Sequence, residues 1–221
     1  MKLWLNALIK YLLGLILVGL LVFLPAGTLC FPHGWLFMGI LFVPMLILGI
    51  VLLVKSPALL EKRLDSQEKR GAQKSVTSLA AVMFLGGFIV AGLDHRYGWS
   101  HVPAWGVVAA AVMLLAAYAL YAEVMRENAY LSRTIAVQAE QKVVDSGLYG
   151  IVRHPMYAVT LWLFLAIPLV LGSLWAVLCF LPYLPLIIVR ILDEEKLLSA
   201  ELEGYTEYKK KVKYRLIPLI W

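Results

Sequence analysis

The chain is 221 residues long, 62% of them hydrophobic and 15% charged, with a formal net charge of +6. Its mean hydropathy is +0.83. Soluble domains carry about a quarter charged residues, so a single water-soluble core is excluded. The basic residues flank apolar runs and are not interleaved with stacking aromatics, which argues against nucleic acid and for orientation in a membrane.

A spanning helix needs about 20 predominantly apolar residues, and several segments supply them. The first covers residues 3–24. Its start, with Lys2 and Lys10, resembles a signal peptide, and "PAG" after it resembles a small-residue cleavage site. A second apolar run follows almost at once, so the segment reads as a retained helix. Pro25, Gly27, Pro32 and Gly34 make the turn. The second helix, residues 35–54, holds Pro44, which membrane helices tolerate. The loop "KSPALLEKRLDSQEKRGAQKS" then carries Lys55, Lys62, Arg63, Lys69, Arg70 and Lys74. A third helix spans residues 76–93 and a fourth residues 104–121, joined by "DHRYGWSHVP" with Arg96 alone. Six basic residues against one place the first of these loops in the cytoplasm. Both termini then lie there too.

The polar stretch from Glu123 to the "RHP" at Arg153, His154 and Pro155 faces the same side. Two apolar runs follow, residues 156–171 and 174–191, joined by Gly172 and Ser173 and interrupted by Pro168, Pro182 and Pro185. They read as a helical hairpin, either a tilted pair or a re-entrant unit. The tail is amphipathic and basic, with Lys209, Lys210, Lys211, Lys213 and Arg215. The expected fold is therefore all-α: a polytopic integral membrane protein with about four spanning helices, a C-terminal helical hairpin and a cytoplasmic amphipathic tail. Residues 1–122 form the transmembrane part and residues 123–221 a cytoplasm-facing catalytic region. The membrane is a cytoplasmic (inner) or an ER-type one. Oligomeric state is not legible.

Chemistry-bearing residues gather at the ends of the hairpin. Pro155 suits the first turn of a helix. Arg153 and His154 then sit at a positive helix N-terminus, which favours anions. At the hairpin's far end, Arg190 and Glu194 are four apart and share a face, while Glu195 points to a neighbouring one. Two basic groups and two acids can meet around one cavity. The plainer alternatives are a snorkelling Arg153, an N-capping His154, and Glu194 and Glu195 as a solvated start of the tail. Cys30 and Cys179 read as small buried hydrophobes with no disulfide. His33, His95 and His101 fall in loops. Asp94, His95 and His101 match no metal-ligand spacing and read as loop polarity, so no metal is expected.

The stretch "GLYGIVRHPMY", then "RILDEEKLL" and then "GYTEYKKKVKYRLIP", resembles the isoprenylcysteine carboxyl methyltransferase family and its looser kin, the phospholipid methyltransferases and methanethiol S-methyltransferase-like membrane enzymes. The pattern G-x-Y-x-x-x-R-H-P-x-Y, then Arg, then Glu-Glu, then a Tyr-rich basic tail covers residues 128–221. The resemblance implies S-adenosylmethionine as cofactor, in a pocket built by the C-terminal segments, and a lipophilic or prenylated substrate entering from the bilayer. It implies cofactor contacts at Gln138, Gln141, Lys142, Val143, Val144, Tyr149, His154, Pro155, Met156, Tyr157 and Glu194, with Glu195 as a second acidic candidate. It implies that Arg190 lies near the substrate carboxylate and the reacting centre. Arg153 is a further substrate-binding candidate, and Arg190 and Glu194 are the catalytic ones.

A carboxylate acceptor is ionised at pH 7 and needs no general base, so positioning does most of the work. An amine or thiol acceptor must lose a proton, and a Glu or Tyr would take it. The expected acceptor is a carboxylate such as an isoprenylcysteine-type carboxyl group, with an isoprenoid acid, a phospholipid amine and a small thiol left open. A non-catalytic transport or assembly protein is the rival class, although the spans before Glu123 hold almost none of the mid-membrane charges a transporter uses. A sterol-reductase-like enzyme binding NADPH is the third reading.

Overall fold

The computed structural model describes residues 2–65, 71–132, 137–138 and 140–221, with the backbone alone for residues 71–74. Of the loop cations counted above, Lys69 and Arg70 lie outside the described residues, as does the side chain of Lys74. Described in chain order, the helices are α1 (Leu3–Ala26), α2 (Pro32–Lys55), α3 (Pro57–Leu64), α4 (Gly71–Tyr97) and α5 (Ala104–Glu127). They continue as α6 (Pro155–Val170), α7 (Leu174–Phe180), α8 (Tyr183–Glu201) and α9 (Tyr205–Lys211). Among the described residues there is no strand, so the all-α fold class holds.

Among the described residues, five stretches are long and apolar enough to cross a membrane: Leu3–Ala26, Pro32–Lys55, Ser75–Tyr97, Ala104–Glu127 and Leu174–Glu201. The fifth is the returning arm of the hairpin. Its outgoing arm, α6, has 16 residues, about 24 Å of helix against a hydrocarbon layer of about 30 Å. The returning arm is broken at Leu181 and Pro182 into α7 and α8. A proline lacks the N–H that would continue the ladder.

Several helices run further than the hydropathy pattern predicts. α4 continues through Asp94, His95 and Arg96, and α5 continues to Glu127. Both extra ends are polar, so hydropathy ends a span before the backbone hydrogen bonding does. The cationic loop after α2 holds α3, whose Pro57 sits at its N-terminus. His33 lies in the first turn of α2 and His95 in the last turn of α4; neither is in a loop.

α5 packs along α6, and α4 lies against both α1 and α7. The α1–α4 crossing is close because of Gly92: a Cβ there would run into the backbone of α1 at Val22 and Ala26. Near the end of α4, Asp94 is 2% exposed and takes hydrogen bonds from the Ser100 amide at 2.7 Å, the Ser100 hydroxyl at 2.5 Å and the Ser173 hydroxyl at 2.5 Å. Ser173 also caps α7 by accepting from the Ala176 amide. Asp94 is thus a buried clasp tying the α4–α5 loop to the hairpin's turn, which corrects its reading as loop polarity. The turn itself needs Gly172, at φ 78°. Cys30 is exposed and Cys179 half-buried, so neither is the buried hydrophobe expected.

Candidate functional site

Tyr183, Leu186, Ile187, Arg190, Glu194 and Leu198 recur at helical spacing and form one stripe of α8. Tyr183 to Leu198 is 15 residues, about 22 Å of rise. This stripe is one wall of a cavity of about 340 Å³, within the roughly 300–1,000 Å³ of small-molecule sites. α4 adds Val76, Thr77, Ala80 and Phe84, and α6 adds Met156, Tyr157, Thr160 and Phe164. At one end the wall is aromatic. Phe164 meets Phe84 edge-on and Tyr183 edge-on, each with ring centroids 4.5 Å apart. The Tyr183 and Thr160 hydroxyls pair at 2.8 Å. Further along α8 the wall turns polar, with residues 128, 130–132 and 141–144, Tyr149 and the α9 tyrosines closing it.

At that transition Tyr157 joins the two arms of the hairpin. Its phenol donates to Glu194 Oε2 at 2.5 Å and accepts from Arg190 Nε at 2.9 Å. The Arg190 guanidinium also lies 5.9 Å from the Tyr157 ring centre. Arg190 and Glu194 share the cavity face as their spacing predicts, and Tyr157 fixes both.

Arg153 and His154 belong to a second cluster. Glu195, 6% exposed, accepts from Arg153 Nε at 2.7 Å and lies 3.3 Å from His154 Nε2. Its other oxygen accepts from Arg215 Nε at 2.9 Å. Arg153 also donates to the Val212 and Lys213 carbonyls, and the backbone amides of Arg153 and His154 donate to the Tyr214 and Arg215 carbonyls. The "RHP" stretch is therefore pinned to the tail. Arg153 is 7% exposed and His154 5%, so Arg153 is no snorkelling surface residue and Glu195 no solvated one. His154 stands at the N-cap of α6 without a side-chain cap bond. Glu195 leaves the cavity wall because it is one residue, about 100° of helix, beyond Glu194.

Gln141, Lys142, Val143, Val144, Tyr149, Arg153, His154, Met156, Tyr157, Arg190 and Glu194 all line this cavity. Gln138, Pro155 and Glu195 do not line it. Gln138 donates to the Tyr130 carbonyl, and its amide donates to the Gln141 side chain, so it shapes the loop that carries the wall. Tyr149 accepts from Asn128 at 2.9 Å, and its carbonyl accepts from the Tyr208 hydroxyl at 2.6 Å. Burial pushes the phenols of Tyr149, Tyr205 and Tyr208 up, so all three are neutral at pH 7. Lys211, 2.7 Å from Asp145, holds that carboxyl below its ordinary value and clips α9 to the loop. Sequence reasoning missed Asn128, Tyr130, Thr160, Tyr183, Tyr205 and Tyr208 as lining residues, along with the α4 wall. The tail tyrosines were visible as part of the motif; the α4 face carries no chemical signal at all.

The donor set suits S-adenosylmethionine. Glu194 offers an acceptor for an ammonium or hydroxyl, Tyr149, Tyr157 and Tyr130 offer ring faces, and the buried Tyr205 hydroxyl is without a partner among the described residues. Among the described residues no group of three or more His, Cys, Asp or Glu side chains is placed to hold a metal ion. No curated protein matches the chain. Residues 103–203 match the family model described as phospholipid methyltransferase. That stretch takes in α5, the 128–149 loop, the "RHP" turn, the hairpin and both carboxylates of α8. Over residues 103–203, a little under half of its length, the chain is thus similar to the phospholipid methyltransferases, a family of membrane methyltransferases akin to the isoprenylcysteine carboxyl enzymes.

Proposed function

We propose that this membrane methyltransferase uses S-adenosylmethionine and methylates a lipophilic acceptor that enters from the bilayer, with a carboxylate of the isoprenylcysteine type as the reacting group. One observation carries the reading: a single cavity runs from an aromatic end between α4, α6 and α8 to the Arg190–Tyr157–Glu194 set on the same stripe. S-adenosylmethionine supplies an electrophilic methyl group on a sulfonium centre. Phe84, Phe164 and Tyr183 hold the lipid tail and keep water from the reacting end. Arg190 orients the acceptor carboxylate through its planar fork. Glu194, held by the Tyr157 phenol, faces the cofactor's ammonium or hydroxyls. Because the carboxylate is already ionised, these residues position and move no proton. The polar end of the cavity opens to the cytosol, on the side of the basic loops and tail.

The family match favours a second acceptor, a phospholipid amine. There Glu194 would take the proton that the amine must lose. The two are separated by incubating purified protein with methyl-labelled donor and either a farnesyl-cysteine analogue or phosphatidylethanolamine vesicles. Carboxyl methylation yields a base-labile methyl ester, and Arg190→Lys should lower it at least about tenfold, because Lys lacks the fork. Stable label in the phospholipid headgroup would establish the second acceptor. Label in neither, with protein that remains folded, would sink both.

A further inference from the structure

Buried polar atoms in folded proteins are almost always hydrogen-bonded. Among the described residues, the Tyr205 hydroxyl is the buried side-chain polar atom that has no partner. Tyr205 opens α9, directly after Gly204 at φ 81°. It is 4% exposed and belongs to the cavity wall. Its neighbours explain the burial and not the hydroxyl. The ring packs in a cluster with Leu202, Tyr208 and Val212, against Val143 and Leu198. Tyr208, one turn away, shows the ordinary solution: its hydroxyl donates to the Tyr149 carbonyl.

The charges around the Tyr205 hydroxyl are mixed. The carboxylates of Glu195 and Glu194 and the guanidinium of Arg153 all act on it. The phenol stays protonated at pH 7, because burial and both carboxylates oppose its ionisation. The cavity wall carries the Glu194 carboxylate and the guanidinium of Arg153, whose charge is shared with Glu195; acidic and basic groups on one wall are complementary to a zwitterion. In S-adenosylmethionine only the α-amino-acid end is one; the ribose is neutral and the adenine flat.

We infer that the Tyr205 hydroxyl completes its hydrogen bonding on the α-amino-acid end of the bound methyl donor. The inference rests on the cofactor reading above. It makes α9 part of the cofactor site: the tail supplies a ligand contact as well as a brace for Arg153.

The test compares wild type with Tyr205→Phe, in detergent, by calorimetric titration with two probes. S-adenosylhomocysteine carries the amino-acid end, and 5′-methylthioadenosine lacks it. Tyr205→Phe should weaken S-adenosylhomocysteine about tenfold, or about 1.4 kcal/mol, and leave 5′-methylthioadenosine unchanged. The unliganded variant should melt no lower than wild type, since the deleted hydroxyl has no protein partner to lose. Tyr208→Phe should melt lower, because it strands the Tyr149 carbonyl. Equal affinity for S-adenosylhomocysteine, equal losses for both probes, or a lower unliganded melting temperature in Tyr205→Phe would overturn the inference while leaving the cofactor reading standing. Folded wild type that binds neither probe would overturn both.

Discussion

Glu194 and Glu195 are adjacent and chemically identical, yet they do different things. Glu195 is surrounded by Arg153, His154 and Arg215 and holds the tail to the "RHP" turn. Glu194 faces the cavity, bound to the Tyr157 phenol. Removing one partner of a buried ion pair costs about 3–5 kcal/mol, because the other charge stays buried. Glu195→Ala should therefore lower stability by that amount, read as a marked drop in thermal melting temperature in detergent. Glu194→Ala should melt close to wild type and weaken S-adenosylhomocysteine binding in a titration. Reversed results would exchange the two roles. The sequence places both residues on α8 and puts Arg190 beside Glu194. It does not show that Arg153 and His154 pair with Glu195, because those groups are 42 and 41 residues apart in the chain.

At the scale of elements, two contacts hold the helices in the order that forms the cavity. Gly92 lets α4 meet the backbone of α1. Gly92→Val overfills that crossing and should cost about 1–3 kcal/mol, seen as a lower melting temperature; a variant as stable as wild type would mean that the crossing relaxes freely. Asp94 joins the α4–α5 loop to the hairpin's turn through Ser100 and Ser173. Asp94→Ala strands buried donors at about 1–3 kcal/mol, and the hairpin's amides near Ser173 should then exchange faster with solvent than in wild type. Unchanged exchange there would argue against the clasp. Hydropathy locates the spans well, since each needs its apolar length. It misplaces their polar ends at Asp94 to Arg96 and at Glu123 to Glu127, where hydrogen bonding in α4 and α5 outlasts the apolar run.

For the whole molecule, the charge asymmetry of the loops makes a directional prediction. The α1–α2 turn, with exposed Cys30, should face away from the cytosol. A membrane-impermeant maleimide added to intact cells should label Cys30 without permeabilisation. Labelling only after permeabilisation would invert the orientation and move the cavity's polar end to the other side.

The sequence by itself determined the helical class, the places of the apolar spans, the pairing of the last two apolar runs and the resemblance to membrane methyltransferases that runs from Gly147 to Pro218. These are local properties: hydropathy, proline and glycine positions, and residue types at short spacing. Tertiary structure alone decided which of two neighbouring carboxylates lines the cavity, which basic groups are consumed in holding the tail, and that an apolar face of α4 forms a wall. Each of these depends on how helices far apart in the chain are rotated against one another, and an apolar residue looks the same in sequence whether it faces lipid, core or ligand.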